Sequence, residues 1–149
     1  MVTKQQIEAF LAPKSFAIAG VSRNPKKFGG SVYAEMKKKG YTVYPINPHA
    51  ETIGGDPCYA SVSALPGEVK HLLVVTPKAD TDKVIREAID KGITRIWVQQ
   101  MSETPDTLRL AEGNRVDLIT GKCIFMFTDP RGIHKFHRMV MGLFGRLPG

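Results

Sequence analysis

The stretch Ser15–Tyr33, SFAIAGVSRNPKKFGGSVY, constrains the chain more than any other. Phe16-Ala17-Ile18-Ala19 is short, apolar and mostly small, which suits a strand buried on both faces of a sheet. Gly20 ends it. Val21–Lys27 is polar, basic and turn-like, with Asn24-Pro25 as a turn pair. Gly29-Gly30-Ser31 then opens a helical pattern, with Val32, Tyr33 and Met36 inward, Lys37, Lys38 and Lys39 toward water, and Gly40 as the stop. Strand, glycine, polar loop and helix begin a nucleotide-binding βαβ unit, because loop amides and a helix N-terminus favour an anion. Arg23, Lys26 and Lys27 add cations beside it. A plain strand-to-helix turn with solvated lysines fits the same residues. The loop is not the dinucleotide fingerprint, since Ser22 stands where G-x-G-x-x-G has its second glycine, and the P-loop pattern is absent.

The rest of the chain repeats this alternation. Thr3 and Gln6 match a capping box for a first helix with Ile7, Phe10 and Leu11 inward, ended by Pro13. Thr42–Ile46 reads as a second strand closed by Asn47-Pro48-His49, and Glu51–Tyr59 as a turn-rich excursion. Ser61–Leu65 holds one or two helical turns. Val69–Val75 is a third strand ending at Thr76-Pro77-Lys78. A helix capped by Asp80 or Thr81 comes next, carrying Val84, Ile85, Ala88 and Ile89 inward, and Gly92 stops it. Thr94–Val98 is a fourth strand, ending at Gln99-Gln100-Met101. Thr104 as cap and Pro105 at the first position open a helix with Leu108 and Ala111 inward. Val116–Ile119 is a fifth strand, and Cys123–Phe127 a short strand or packed segment.

This order predicts a single α/β domain over 1–149: a Rossmann-like, doubly wound, mainly parallel sheet of five or six strands with helices on both faces. Ligands of such sheets bind beyond the carboxyl ends of the strands, where strand order reverses. Gly20-Val21-Ser22, Asn47-Pro48, Thr76-Pro77-Lys78 and Gln99-Gln100 are therefore expected to rim one crevice.

A chain of 149 residues, 42% hydrophobic and 23% charged, suits one soluble domain with a sizeable core. With no signal-peptide core, membrane-length apolar run or disulfide framework (Cys58 and Cys123 only), a cytoplasmic protein with free thiols is expected. The net charge of +7 suits nucleic acid, anionic lipid or a polyphosphate ligand. The basic residues are scattered and only 8% of residues are aromatic, so nucleic acid is not favoured.

An NAD site carries Asp or Glu at the end of its second strand to hold the ribose hydroxyls. Here Asn47, Pro48 and His49 stand there. A phosphate-bearing ribose within reach of Lys26 or Lys27 is the better match, which leaves NADP, coenzyme A or another phosphorylated adenosine ligand.

The ordered pieces AGVSRNP (Ala19–Pro25), GYTVYPINP (Gly40–Pro48), VVTPK (Val74–Lys78), IWVQQ (Ile96–Gln100) and ITGKC (Ile119–Cys123) choose among these. Together they resemble the small stand-alone CoA-binding domain proteins, which are similar to the N-terminal CoA-binding domain of the succinyl-CoA synthetase alpha subunit. The likeness runs from about Phe10 to Phe127. It implies a CoA nucleotide in the crevice, with Gly20, Val21, Ser22 and Arg23 at phosphates and Asn47 and Pro48 beside the nucleotide. Thr76, Pro77 and Lys78 would line the adenosine or pantetheine path, and Gln99 and Gln100 would meet the diphosphate or pantetheine end. Two departures stand out. Asn24–Phe28 interrupts what is a more glycine-rich loop in the synthetase domain, and Met101 replaces the glycine of the family's Gln-Leu-Gly.

A synthetase needs a phosphorylated histidine on a following domain, and none is expected within these residues. No G-x-S-x-G surrounds Ser22, so it reads as a phosphate hydrogen-bond donor. The expectation is a non-catalytic CoA or acyl-CoA binding module, with an NADP-binding oxidoreductase-like protein or regulator as the alternative. Cys123 with His134 and His137 matches no standard zinc spacing, so no metal is expected. Ile133, Phe136, Val140, Leu143, Phe144 and Leu147 form one side of a C-terminal helix over about 133–146. Its apolar side suits packing on the domain or a twin subunit, and its basic side a membrane or partner.

Overall fold

The computed structural model describes residues 2–128, and the expected helix over 133–146 lies outside them. The first helix, α1 (Lys4–Leu11), starts where the capping box places it: Thr3 Oγ1 accepts from Gln6 N, and Gln6 Oε1 accepts from Thr3 N. Strand β1 (Ser15–Ala19) comes next, then α2 (Phe28–Lys38) and β2 (Thr42–Ile46). The turn-rich excursion contains a two-stranded hairpin, β3 (Thr52–Ile53) and β4 (Asp56–Pro57), turning on Gly54-Gly55. A 3-10 turn spans Val62–Ala64. The chain continues through β5 (His71–Val74), α3 (Lys78–Lys91), β6 (Arg95–Gln99), α4 (Thr107–Glu112), β7 (Asp117–Lys122) and a last turn, α5 (Phe125–Thr128).

Among the described residues the main sheet has five strands in the order β2-β1-β5-β6-β7, and every pairing is parallel. The chain steps from β1 outward to β2, then crosses back to β5 on the other side of β1. The strand order thus reverses between β1 and β5. Alternation along the strands divides the core into two layers. Phe16, Ile18, Val43, Leu73, Trp97 and Ile119 face α1 and α2, where Phe10, Val32 and Met36 meet them. Ala17, Ala19, Ile46, Leu72, Val74, Ile96 and Val98 face the other way, against Ile85, Ala88 and Leu65. Helices therefore cover both faces, as the doubly wound pattern requires.

Two local expectations are corrected, and one left open is decided. Helix α3 begins at Lys78, without a side-chain cap, and Thr81 points into the interior instead. Helix α4 begins two residues after Pro105. That shift of phase buries Thr107 and leaves Leu108 59% exposed. Of the two readings of Cys123–Phe127, the packed segment is the one found: Gln99 Oε1 accepts from Ile124 N at 3.1 Å, and the chain curls into a turn that buries Ile124 and Met126.

The hairpin is fastened to α2. The Tyr33 hydroxyl shares its one proton between Ile53 O, at 2.9 Å, and the Asp56 carboxylate, and Lys37 Nζ reaches Asp56 at 2.9 Å and Gly54 O at 3.0 Å. Gly54, at φ +57, passes so close to Tyr33 that a Cβ there would sit 3.0 Å from its ring. Burial, with the Asp56 hydrogen bond and charge, holds the Tyr33 phenol well above its usual range. Hydrogen bonds from Tyr33 and Lys37 hold Asp56 below the usual carboxylate range.

Candidate functional site

The parallel sheet brings the carboxyl ends of all five strands to one edge. At the reversal point, Val75 N donates to Ala19 O at 2.9 Å. Gly20, at φ +99, lets the chain leave β1 against β5: a Cβ there would sit 3.0 Å from Thr76 N and Val75 O. The loop after Gly20 is organised by its own polar groups. Ser22 Oγ accepts from Asn24 N, Asn24 Oδ1 accepts from Lys26 N, and Asn24 O accepts from Lys27 N, each at 3.0 Å. It then folds flat onto the start of α2. A Cβ on Gly29 would run into the Gly20 carbonyl oxygen, and one on Gly30 into the Asn24 carbonyl oxygen. The glycine pair therefore seats the helix end directly under the loop.

That helix end is electropositive. The first-turn amides have no intrahelical acceptor, Lys27 at the cap has no side-chain acceptor and spends its carbonyl on Ser31 N at 2.9 Å, and no acidic residue stands in the first turn. Arg23, Lys26 and Lys27 are exposed around it, and Lys78 is exposed at the start of α3. None of the four forms an ion pair among the described residues.

Other expected residues have structural work. Val21 is buried. Its amide donates to Ile46 O at 3.3 Å and its carbonyl accepts from Asn47 Nδ2 at 2.9 Å. Asn47 also accepts from His49 N at 2.7 Å and donates its own backbone amide to Tyr59 O at 2.9 Å. It clamps the loop after β1 to the loop after β2. Pro48 is exposed beside a cavity of about 560 Å³ lined also by His49, Glu51 and Cys58. Burial pushes the Cys58 thiol up, and its Sγ lies 3.6 Å from Asn47 O, so it is a protonated and weak nucleophile at neutral pH.

Across the reversal point, Thr76 is buried with its Oγ1 2.8 Å from Thr81 Oγ1. Thr81 donates to Ser102 O at 2.8 Å. Its single proton is committed there, so Thr76 donates to Thr81. Pro77 is exposed at the rim. Gln99 is buried and spent on Ile124. Gln100 anchors its amide on Lys122 O at 3.1 Å, while its Oε1, like Glu103 Oε2, is buried with no partner among the described residues. Met101 holds φ +77 in a turn closed by Ser102 N to Gln99 O at 2.8 Å. The left-handed geometry that glycine serves is kept, with an exposed methionine in it.

The structure thus brings all four expected rims to one edge, with the expected cations around the α2 start. Thr81 is the residue that sequence reasoning misses by reading it as a cap, although hydroxyl residues at the ends of neighbouring strands are the available signal. The Tyr33–Asp56–Lys37 fastening is missed too, because its partners lie far apart in the chain. No group of three or more potential metal ligands occurs among the described residues, and His134 and His137 lie outside them.

Several known proteins resemble this chain in sequence or in fold. The alpha subunit of an ADP-forming acetate–CoA ligase II from Pyrococcus furiosus is 35% identical over 93 residues, covering 62% of this chain and 20% of that subunit. The chain thus matches about a fifth of that relative's length. A conserved hypothetical protein from Pyrococcus furiosus superposes with a TM-score of 0.73 at 33% identity, over 76% of this chain and 97% of that one. A Thermus thermophilus protein superposes with a TM-score of 0.75 at 22% identity, over 91% and 98%, which speaks for the fold alone. The family model described as CoA binding domain matches residues 14–129, most of the chain, so this protein belongs to the CoA binding domain family.

Proposed function

We propose that this chain binds coenzyme A, or an acyl-CoA, at the carboxyl edge of its sheet and acts as a non-catalytic binding module. The observation that carries the reading is the α2 start: an uncapped helix end seated under the loop by Gly29 and Gly30 and ringed by Arg23, Lys26 and Lys27. The ligand's diphosphate and ribose phosphate are the anions such a cradle accommodates. In this reading the backbone of Gly20, Val21 and Ser22 approaches the diphosphate, and Arg23, Lys26 and Lys27 pair with phosphate oxygens. Asn47 holds the floor while Pro48 borders the adenosine. Thr76, Pro77 and Lys78 form the facing wall. Gln99 is a strut, and the buried, unpartnered Gln100 Oε1 accepts an amide N–H of the pantetheine arm.

Calorimetric titration of the full chain with CoA, acetyl-CoA, NADP and NAD tests this. Saturable binding of CoA or acetyl-CoA, roughly tenfold or more tighter than NADP, is expected, as one lost or gained phosphate contact is worth about that factor. NADP binding more tightly than CoA transfers the site to a nicotinamide nucleotide, and no binding of any of the four removes the proposal.

A further inference from the structure

Among the described residues four large apolar side chains are exposed, and two of them stand at the carboxyl edge. Phe28, 42% exposed, is the first residue of α2, and Met101, 53% exposed, lies in the turn after β6. Both border the end of β7. The ring of Phe28 meets Phe125, just past β7, edge-on at 5.9 Å. Gln100, beside Met101, donates its backbone amide to Lys122 O at 3.1 Å. The two approach that end from opposite faces of the sheet. Phe125 packs on the core layer under α1 and α2. Ser102, the residue after Met101, is held through its carbonyl by Thr81 of α3, on the other face.

The fold has little use for either side chain. Phe28 stands at a helix start open to water, and Phe125 already has the core to pack on. Met101 holds φ +77, a conformation that glycine adopts freely and methionine adopts under strain. A strained residue that keeps a long apolar side chain in water points to a ligand for that side chain. A pliable thioether and a flat ring together suit a flexible hydrocarbon.

We propose, resting on the CoA reading above, that Met101 and Phe28 form an apolar seat for the chain of an acyl-CoA, so that the site prefers fatty acyl-CoAs of medium length to CoA and acetyl-CoA. The pantetheine arm that gives an amide N–H to Gln100 runs on past Met101 toward its sulfur. A chain in thioester linkage leaves the arm there and lies against Met101 and Phe28. Free CoA has no chain to lay on the seat, and an acetyl methyl covers little of it. The seat is only two side chains wide, so it covers part of a chain and leaves the rest in water.

Calorimetric titration of the full chain with CoA, acetyl-CoA and octanoyl-CoA tests this in wild type, Met101→Gly and Phe28→Ala. Octanoyl-CoA carries six more methylenes than acetyl-CoA. One fully buried methylene is worth about fourfold in affinity, so partial cover should make octanoyl-CoA bind about tenfold or more tighter than acetyl-CoA. The ratio of the two affinities should fall about threefold or more in Met101→Gly and in Phe28→Ala. Because the ratio is taken within each protein, any effect on the CoA moiety itself cancels. If Phe28→Ala does not fold, Met101→Gly decides alone, since glycine relieves the strained turn. Equal affinities for acetyl-CoA and octanoyl-CoA in wild type, with CoA still bound, overturn the seat and leave the CoA site standing. A ratio unchanged in either folded variant overturns it too, as does an octanoyl gain that excess CoA does not compete away, which would put the chain on another surface. No binding of any of the three ligands removes the CoA site itself, and the seat with it.

Discussion

On one side of the carboxyl edge, residues 20–30 form a wall shaped by glycines and short-range turns. On the other, residues 76–81 and 99–103 are held by buried hydroxyls and amides that reach across strands. The first wall leaves its charged side chains in water, and the second commits Thr76, Thr81 and Gln99 to the fold. Substitutions in the first wall's side chains should therefore change affinity with little effect on stability. Substitutions in the second wall, or in the glycines beneath the first, should change stability first.

The largest effect is expected from Gly29→Ala. Its new methyl meets the Gly20 carbonyl oxygen, and backbone cannot swing aside as a side chain can. A loss of about 3 kcal/mol or more, read by urea denaturation, is expected. A wild-type midpoint would show that the loop does not lie flat on the helix end.

Thr81→Val comes next. It keeps the shape but leaves the buried Thr76 hydroxyl and Ser102 carbonyl without their partner. About 2 kcal/mol of stability should be lost, with CoA affinity weakened only as the two loops loosen. Unchanged stability together with lost affinity would invert the assignment of the two walls.

Arg23→Ala is the counterpart on the exposed wall. Thermal stability should stay within about 0.5 kcal/mol of wild type. CoA affinity should fall about tenfold, as expected for one charge-assisted phosphate contact, and the deficit should shrink in high salt. Equal affinity in both proteins removes Arg23 from the site.

Met101→Gly is smaller and opposite in sign. A non-glycine residue at φ +77 is strained, so glycine should raise stability by about 1 kcal/mol. A fall in stability would mean that the exposed methionine side chain has a partner.

The smallest effect lies outside both walls, in the hairpin fastening. Asp56 is depressed in the fold by hydrogen bonds from Tyr33 and Lys37, so its contribution is present above its ordinary value of 3.8 and is lost as pH falls below that. Tyr33 is raised, chiefly by burial, so its contribution is complete below its ordinary value of 10.0 and is lost as pH rises beyond it. Stability should fall off at both extremes. Tyr33→Phe should flatten the alkaline limb, and an unchanged limb would mean another group causes it.

The same contrast explains what can be read from the chain. Strand β2 lies at Thr42–Ile46, where its apolar pattern puts it, and the Thr3–Gln6 capping box operates as read, because both depend on neighbours in sequence. The glycine-rich wall is legible for the same reason. The start of α4 is not. Thr104 Oγ1 is engaged by Asp82 of α3 at 2.6 Å and also accepts from Asp106 N, so a contact between helices sets where α4 begins. Nor does the apolar run at Cys123–Phe127 reveal its turn, which depends on Gln99 more than twenty residues earlier. Arg23, Lys26 and Lys27 stand out as candidates because a basic loop after a strand is a local pattern. Thr76 and Gln99 look equally suited to a ligand, but their side chains are committed to Thr81 and Ile124, and no local pattern carries that information.

The most direct measurement is a titration of the 15N-labelled full chain with CoA, followed amide by amide by NMR. The account predicts saturable shifts concentrated at 20–30, 76–79 and 99–102, with β3, β4 and α1 unmoved. Shifts centred on the hairpin or on α1, or none at saturating CoA, would contradict it.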